Sequence, residues 1–155
     1  MTPEELHILL LVSSDSERQM KEPVHAEVLD NGNMKLLYSP GFLQGIAAGD
    51  EFRLVDDNGA YEVVKHGGNV CVQVFSLNPI DEFKEVLRRQ VAPLNGTLDG
   101  AIDRGMVFTI PVSAGFSKIE KVFNDFVASH SGTEWYFGNV YNPKDGTTPL
   151  NWWKK

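Results

Sequence analysis

Apolar positions in the first half of the chain recur with a period of two. Ile8 to Ser13 is a short apolar run, and the polar stretch Ser14 to Glu22 follows it. That pattern predicts a strand and then a surface loop. Val24, Ala26 and Val28 alternate with other residues up to Asp30-Asn31-Gly32-Asn33, and Met34, Leu36 and Tyr38 form the returning face. Asn-Gly tolerates the positive φ angles of a tight type I′ turn, so a hairpin is predicted. Pro40-Gly41 breaks the second strand, and Phe42 to Ile46 reads as a turn or a single helical turn. Glu51 to Asp56 and Ala60 to Lys65 flank a second hairpin signal, Asp57-Asn58-Gly59. His66-Gly67-Gly68-Asn69 makes a third turn before Val70 to Ser76. That run is apolar on both faces, which predicts a central strand.

The period then changes to 3.6. Ile80, Phe83, Val86 and Leu87 lie on one helical face, with Asn78 as a capping residue and Pro79 at the first helical position. Asp81 and Glu82 sit near the positive end of the helix dipole, and Arg88 and Arg89 near the negative end. Thr97 to Asp103 and Met106 to Val112 read as two strands about Arg104-Gly105. Ser113 is placed to cap a second helix whose apolar face is Phe116, Ile119, Val122, Phe123, Phe126 and Val127. Gly132 suits the left-handed stop of that helix. Thr133 to Tyr141 is a last, aromatic-rich strand. The order predicts an α+β fold: an N-terminal antiparallel β meander or small barrel, then a ferredoxin-like βαββαβ sheet with two helices. Residues 1–69 are the β-rich part, 70–141 the ferredoxin-like part and 142–155 an aromatic tail. These are either distinct units or one continuous compact unit.

Three stretches carry a family resemblance. Pro23 to Tyr38 is an extended segment leading into a hairpin. Pro40 to Leu54 runs from a Pro-Gly-Phe turn to Gly49-Asp50. In Phe108 to Tyr141 a strand ending near Pro111 feeds a helix and then a Gly-Thr-Glu-Trp-Tyr strand. With the spacing between them, the chain resembles the bacterial domain of unknown function 4265 family over most of residues 8 to 142. The resemblance implies a fold like the one above. It brings no activity and no catalytic motif.

Charge narrows the partners. The 155 residues carry 21 acidic against 14 basic side chains, a net charge of −7. Such an excess repels phosphate backbones and anionic lipid heads, so neither nucleic acid nor a membrane is expected as partner. A basic protein would be attracted, and a homodimer is the alternative assembly. Cys71 is the one cysteine. It has no partner for an intramolecular disulfide, which suits a reducing compartment. Met1-Thr2-Pro3-Glu4-Glu5 offers no basic start to a secretory signal, and Leu6 to Val12 is shorter than the roughly 20 residues of a bilayer span. Cytoplasmic residence is the expectation.

Candidate chemistry is sparse. His7, His25, His66 and His130 sit in four different predicted elements and form neither H-x-H nor H-E-x-x-H, so they read as independent surface or edge residues with no metal set. Cys71 lies between Val70 and Val72 and reads as a buried structural thiol. The glycine pairs open no helix and lack a P-loop ending. Asp99 and Asp103, four apart on a strand, would share a face and could couple. Phe108 and Phe75 lack the basic neighbours of an RNA-binding sheet. No catalytic residue and no cofactor is expected. The unusual feature is aromatic density at the C-terminus, and Trp135, Tyr141, Trp152 and Trp153 are the candidate partner-binding residues. The opposing reading of the same residues is a tail packed onto the core. The expected function is a non-catalytic protein-binding module, of the kind an acidic immunity-type or inhibitor protein would be. A small-molecule-sensing regulatory domain and an enzyme of unrecognised type are the alternatives.

Overall fold

The computed structural model describes residues 5–13 and 20–154. Five strands, β1 (Glu5–Ser13), β2 (Met20–Val28), β3 (Met34–Leu36), β4 (Glu51–Leu54) and β5 (Tyr61–Lys65), pair in sequence order as an antiparallel meander. Period-two alternation puts Leu10, Val24, Ala26, Met34, Leu36 and Phe52 inside, where they form one buried cluster with Leu43 and Ile46. The meander curls until its ends meet. The Leu11 N–H donates to the Gly59 carbonyl at 2.8 Å, which brings β1 against the β4–β5 turn. Gly59 permits this twice over. Its φ is +93°, and an added Cβ would stand 2.8 Å from the Leu9 carbonyl oxygen.

The second sheet is built from β6 (Asn69–Ser76), β7 (Thr97–Ile102), β8 (Gly105–Pro111) and β9 (Thr133–Phe137), in the spatial order β7-β8-β6-β9 with every neighbour antiparallel. Helices α1 (Lys84–Val91) and α2 (Phe116–Ser129) complete the βαββαβ order. This is the ferredoxin-like arrangement. Val70, Val72, Val74, Met106, Phe108 and Ile110 join Leu87, Val91, Ile119, Phe123 and Phe126 in a second buried cluster. Each such large side chain contributes roughly 1.5–3 kcal/mol on burial. Strand β6 is central, as its two apolar faces predict, because its other face meets the N-terminal half. There Cys71 packs with Ala47 and Val107 in a third small cluster.

Several local expectations are corrected. Met20, Lys21 and Glu22 belong to β2 rather than to a loop, and residues 14–19 of that loop lie outside the described residues, as do residues 1–4 and 155. The first hairpin is not a type I′ turn. Only Gly32 in it has positive φ, and the Gly32 N–H donates to the Leu29 carbonyl at 2.9 Å, so a three-residue loop with one left-handed glycine makes the turn. Asn78 does not cap a helix. A 3₁₀ turn over Ile80–Glu82 precedes α1, and the Ile80 N–H is taken by the Asp103 carbonyl at 2.9 Å, a tertiary contact in the place of a cap. Val86 faces solvent, because at about 100° per residue it lies well away from Leu87 and Val91 on α1, and Ile80, Phe83, Leu87 and Val91 are buried. Ser113 lies in a 3₁₀ turn, and α2 starts after Gly115 without a side-chain cap. Among the described residues, no helix is long and apolar enough to cross a membrane.

Candidate functional site

Phe42 to Ile46 forms neither strand nor helix. Its backbone therefore lacks ladder partners; the Gly45 N–H donates to the Gly138 carbonyl at 2.7 Å, and side chains of both sheets supply others. Glu22 of β2 accepts three successive backbone N–H groups, Gly41 at 2.7 Å, Phe42 at 3.0 Å and Leu43 at 2.9 Å. From the other side Gln73 of β6 donates to the Pro40 carbonyl at 3.0 Å and the Leu43 carbonyl at 2.9 Å, and accepts from Gln44 at 2.7 Å. The fully buried Asp50 accepts from the Ala47 N–H at 3.0 Å and the Gly67 N–H at 2.8 Å, with His66 Nδ1 at 3.2 Å. Asp99 accepts from the Ser39 N–H at 2.8 Å, from Thr97 at 2.8 Å and from Thr109 at 2.5 Å. Among the described residues, no buried side-chain nitrogen or oxygen is left without a hydrogen-bond partner.

This clamped segment separates two clefts. The first, about 340 Å³, lies between the sheets and is lined by Pro23, Val24 and His25 of β2, by Tyr38 to Phe42, by Phe75, and by residues of β7 and β8. The second, about 660 Å³ and open, is lined by Gln44, Gln73, Glu120, Asn124, the β9 residues Trp135, Tyr136 and Phe137, and Tyr141 to Pro143. Phe42 and Phe75 line both, their ring centroids 6.0 Å apart, and Tyr136 stands 6.1 Å beyond Phe75. Tyr38, Phe42, Ile102, Tyr136 and Tyr141 are all exposed along this surface. The carboxylates lining the two clefts are Glu22, Asp99 and Glu120; neither lining contains Lys or Arg.

The polar groups of this surface are engaged with the fold itself. Glu22 and Asp99 already accept from backbone and hydroxyl donors, so their lone pairs are committed to holding the walls. The Tyr136 hydroxyl donates to Glu134 at 2.5 Å, which raises its pKa. Burial pushes the Cys71 thiol up, far from a reactive thiolate. Asp99 and Asp103 do not share a face. A bulge between Leu98 and Gly100 breaks the alternation, β7 ends before Asp103, and Asp103 pairs with Arg104 at 3.6 Å.

The four aromatic candidates divide. Trp135 and Tyr141 come together in the second cleft. Trp135 packs on Phe123 and Phe137 and donates to Asn124 at 2.9 Å. Trp152 and Trp153 line neither cleft and fix the tail. Trp152 donates to the Asn139 carbonyl at 2.8 Å and stacks on His66 with centroids 5.1 Å apart, and Trp153 packs on Phe116. Phe42, Phe75 and Tyr136 were not among the candidate residues the sequence singled out. The available signal was the second apolar face of β6, Cys71 and Phe75, which two helices on one side cannot cover.

The histidines are not independent surface residues. His66 is held by Asp50, and His130 stacks on Phe126 at 4.2 Å. His7 and His25 stand directly opposite one another on β1 and β2, centroids 4.1 Å apart, with Glu5 Oε1 2.7 Å from His25 Nδ1. Glu5, His7 and His25 are therefore the described residues that could hold a metal ion.

Comparison with known proteins places this architecture. The family described as "Domain of unknown function (DUF4265)" matches residues 22–135. No curated protein matches the chain. A solved crystal structure of a hypothetical protein from Neisseria gonorrhoeae superposes with a TM-score of 0.66 at 15% identity, covering 89% of this chain and 95% of that one. At that identity the likeness is one of fold.

Proposed function

The chain belongs to the domain of unknown function 4265 family, and from that premise we propose that it is a non-catalytic protein-binding module, of the immunity or inhibitor kind, that takes a basic partner segment across its two clefts. The observation that carries the reading is the shared aromatic ridge of Phe42 and Phe75 between clefts whose linings hold three carboxylates and no Lys or Arg. Exposed aromatic side chains give contact area at low entropic cost, which is why they recur as binding hot spots. Linings that carry carboxylates and no Lys or Arg favour basic partners and repel acidic ones. The walls are preorganised by the Glu22, Gln73 and Asp99 hydrogen bonds, which lowers the cost of ordering on binding.

The test is capture from native lysate by wild-type protein, Phe42→Ala and Tyr136→Ala, at low and high salt. Both side chains are exposed, so the fold is expected to survive. The expected result is one stoichiometric basic protein, lost at high salt and weakened at least about tenfold by either variant, the scale of a hot-spot truncation. Binding unchanged by both variants would refute the surface, and a partner bound equally well at high salt would refute the electrostatic part.

A further inference from the structure

We propose that Glu5, His7 and His25 form a binding site for a borderline divalent transition-metal ion such as Zn(II). The site belongs to β1 and β2 alone and stands whether or not a basic partner exists.

Strand geometry builds it. Residues two apart on a strand share a face, so Glu5 and His7 project together from β1. The β1–β2 register sets His25 directly opposite His7. The two imidazoles approach to 4.1 Å between centroids and are inclined at 54°. One ligand atom from each of the three residues lies within 4.8 Å of the others. Around a tetrahedral zinc ion, with bonds of 2.0–2.2 Å, donor atoms stand about 3.4 Å apart, so closing the set takes a movement of roughly an ångström. The side chains of Glu5 and His25 are about half exposed, which leaves them free to make it.

The donor set has the chemistry of a metal centre. Two imidazoles and one carboxylate are the ligands of many zinc sites with an open position, which water or a ligand can fill. The local electrostatics agree. Glu5 and Glu27 are directly opposed across β1 and β2, a like-charge pair that destabilises a sheet. A divalent cation held by Glu5 would relieve that repulsion, which the Glu5–His25 hydrogen bond answers only in part. His25 also lines the first cleft, beside Tyr38, whose ring lies 5.5 Å away edge-on. A metal there would set a cation at the rim of a cleft whose other charges are carboxylates.

The test is titration of protein without a histidine tag with Zn(II) alone, followed by calorimetry and by the histidine ring resonances in NMR. The expected result is saturation at one equivalent, with the His7 and His25 resonances shifted and those of His66 and His130 unmoved. His7→Ala and His25→Ala are each expected to weaken binding at least about tenfold, since loss of even an outer-shell partner costs 10–100-fold. Glu5→Gln is expected to weaken it less. Thermal melts without metal check that each variant folds. The wild-type NMR titration decides the matter even if one does not. Saturable binding absent at one equivalent, shifts centred on His66 or His130, or affinity unchanged in both histidine variants would overturn the proposal.

Discussion

Removing the Glu22 carboxylate tests whether one side chain holds the wall between the clefts. Three backbone N–H groups, of Gly41, Phe42 and Leu43, end on its two oxygens at 2.7, 3.0 and 2.9 Å. A hydrogen bond to a charged group contributes about 1.5–3 kcal/mol, and an exposed donor recovers part of that from water. Phe42 is the exposed donor here. Counting the two remaining donors in full at the lower limit, and Phe42 hardly at all, Glu22→Ala should cost about 3 kcal/mol. Glu22→Gln should cost about half as much. Its amide oxygen can take the place of Oε1 and accept from Phe42 and Leu43, while its NH₂ faces the Gly41 N–H. For a chain of this size, 3 kcal/mol lowers the melting temperature by roughly 6–12 °C, and Glu22→Gln should fall between that and the wild type. Urea unfolding followed by tryptophan fluorescence reads the same differences as midpoint shifts. If both variants unfold within about 0.5 kcal/mol of the wild type, a typical surface change, the segment is held by Gln73 and packing, and the reasoning is wrong.

Two further predictions concern stability. Gly59→Ala meets both a φ of +93° and a Cβ contact of 2.8 Å to the Leu9 carbonyl, so a loss of about 2–3 kcal/mol is expected in urea unfolding, and a neutral result would show that the sheet does not close there. Burial, assisted by the charges of Glu22 and Asp50, pushes the Tyr61 phenol from 10.0 up to about 12. Folding thus favours the neutral phenol, whose contribution is complete below pH 10 and is lost as pH rises through 12. Two pK units correspond to about 2–3 kcal/mol, so between pH 10 and pH 12 the wild type should lose that much more stability than Tyr61→Phe, and parallel curves for the two would contradict the shift.

Period and turn chemistry alone determined the element order. The alternation of the first half, the 3.6-residue faces after Pro79 and the Gly59 and Gly132 turns are local facts, so they were legible without a structure. The ferredoxin-like sheet order follows from them because few topologies suit βαββαβ. The resemblance to the family drew on the same packing and turn patterns, and the match over residues 22–135 agrees with it. Helix starts were less legible. At Ile80 a carbonyl from a distant turn took the role that sequence reasoning assigned to Asn78, and local spacing does not record such partners.

The candidate sites were decided almost wholly by tertiary structure. Phe42 lies in a segment with no periodicity, and Phe75 lies 33 residues further on; only the seam between the sheets brings them to 6.0 Å. Glu5, His7 and His25 resemble no metal motif when read in line, because strand pairing joins residues 18 apart and the ligand spacing is set by register. Trp152 and Trp153 show the converse. Their identity allowed either partner contact or a packed tail, and in the fold they hold the tail, while Phe42, Tyr136 and Tyr141 are exposed. A sequence fixes which residues are apolar and where the chain turns. Which apolar residues remain uncovered depends on how much surface each layer hides, and that is a property of the assembled sheets.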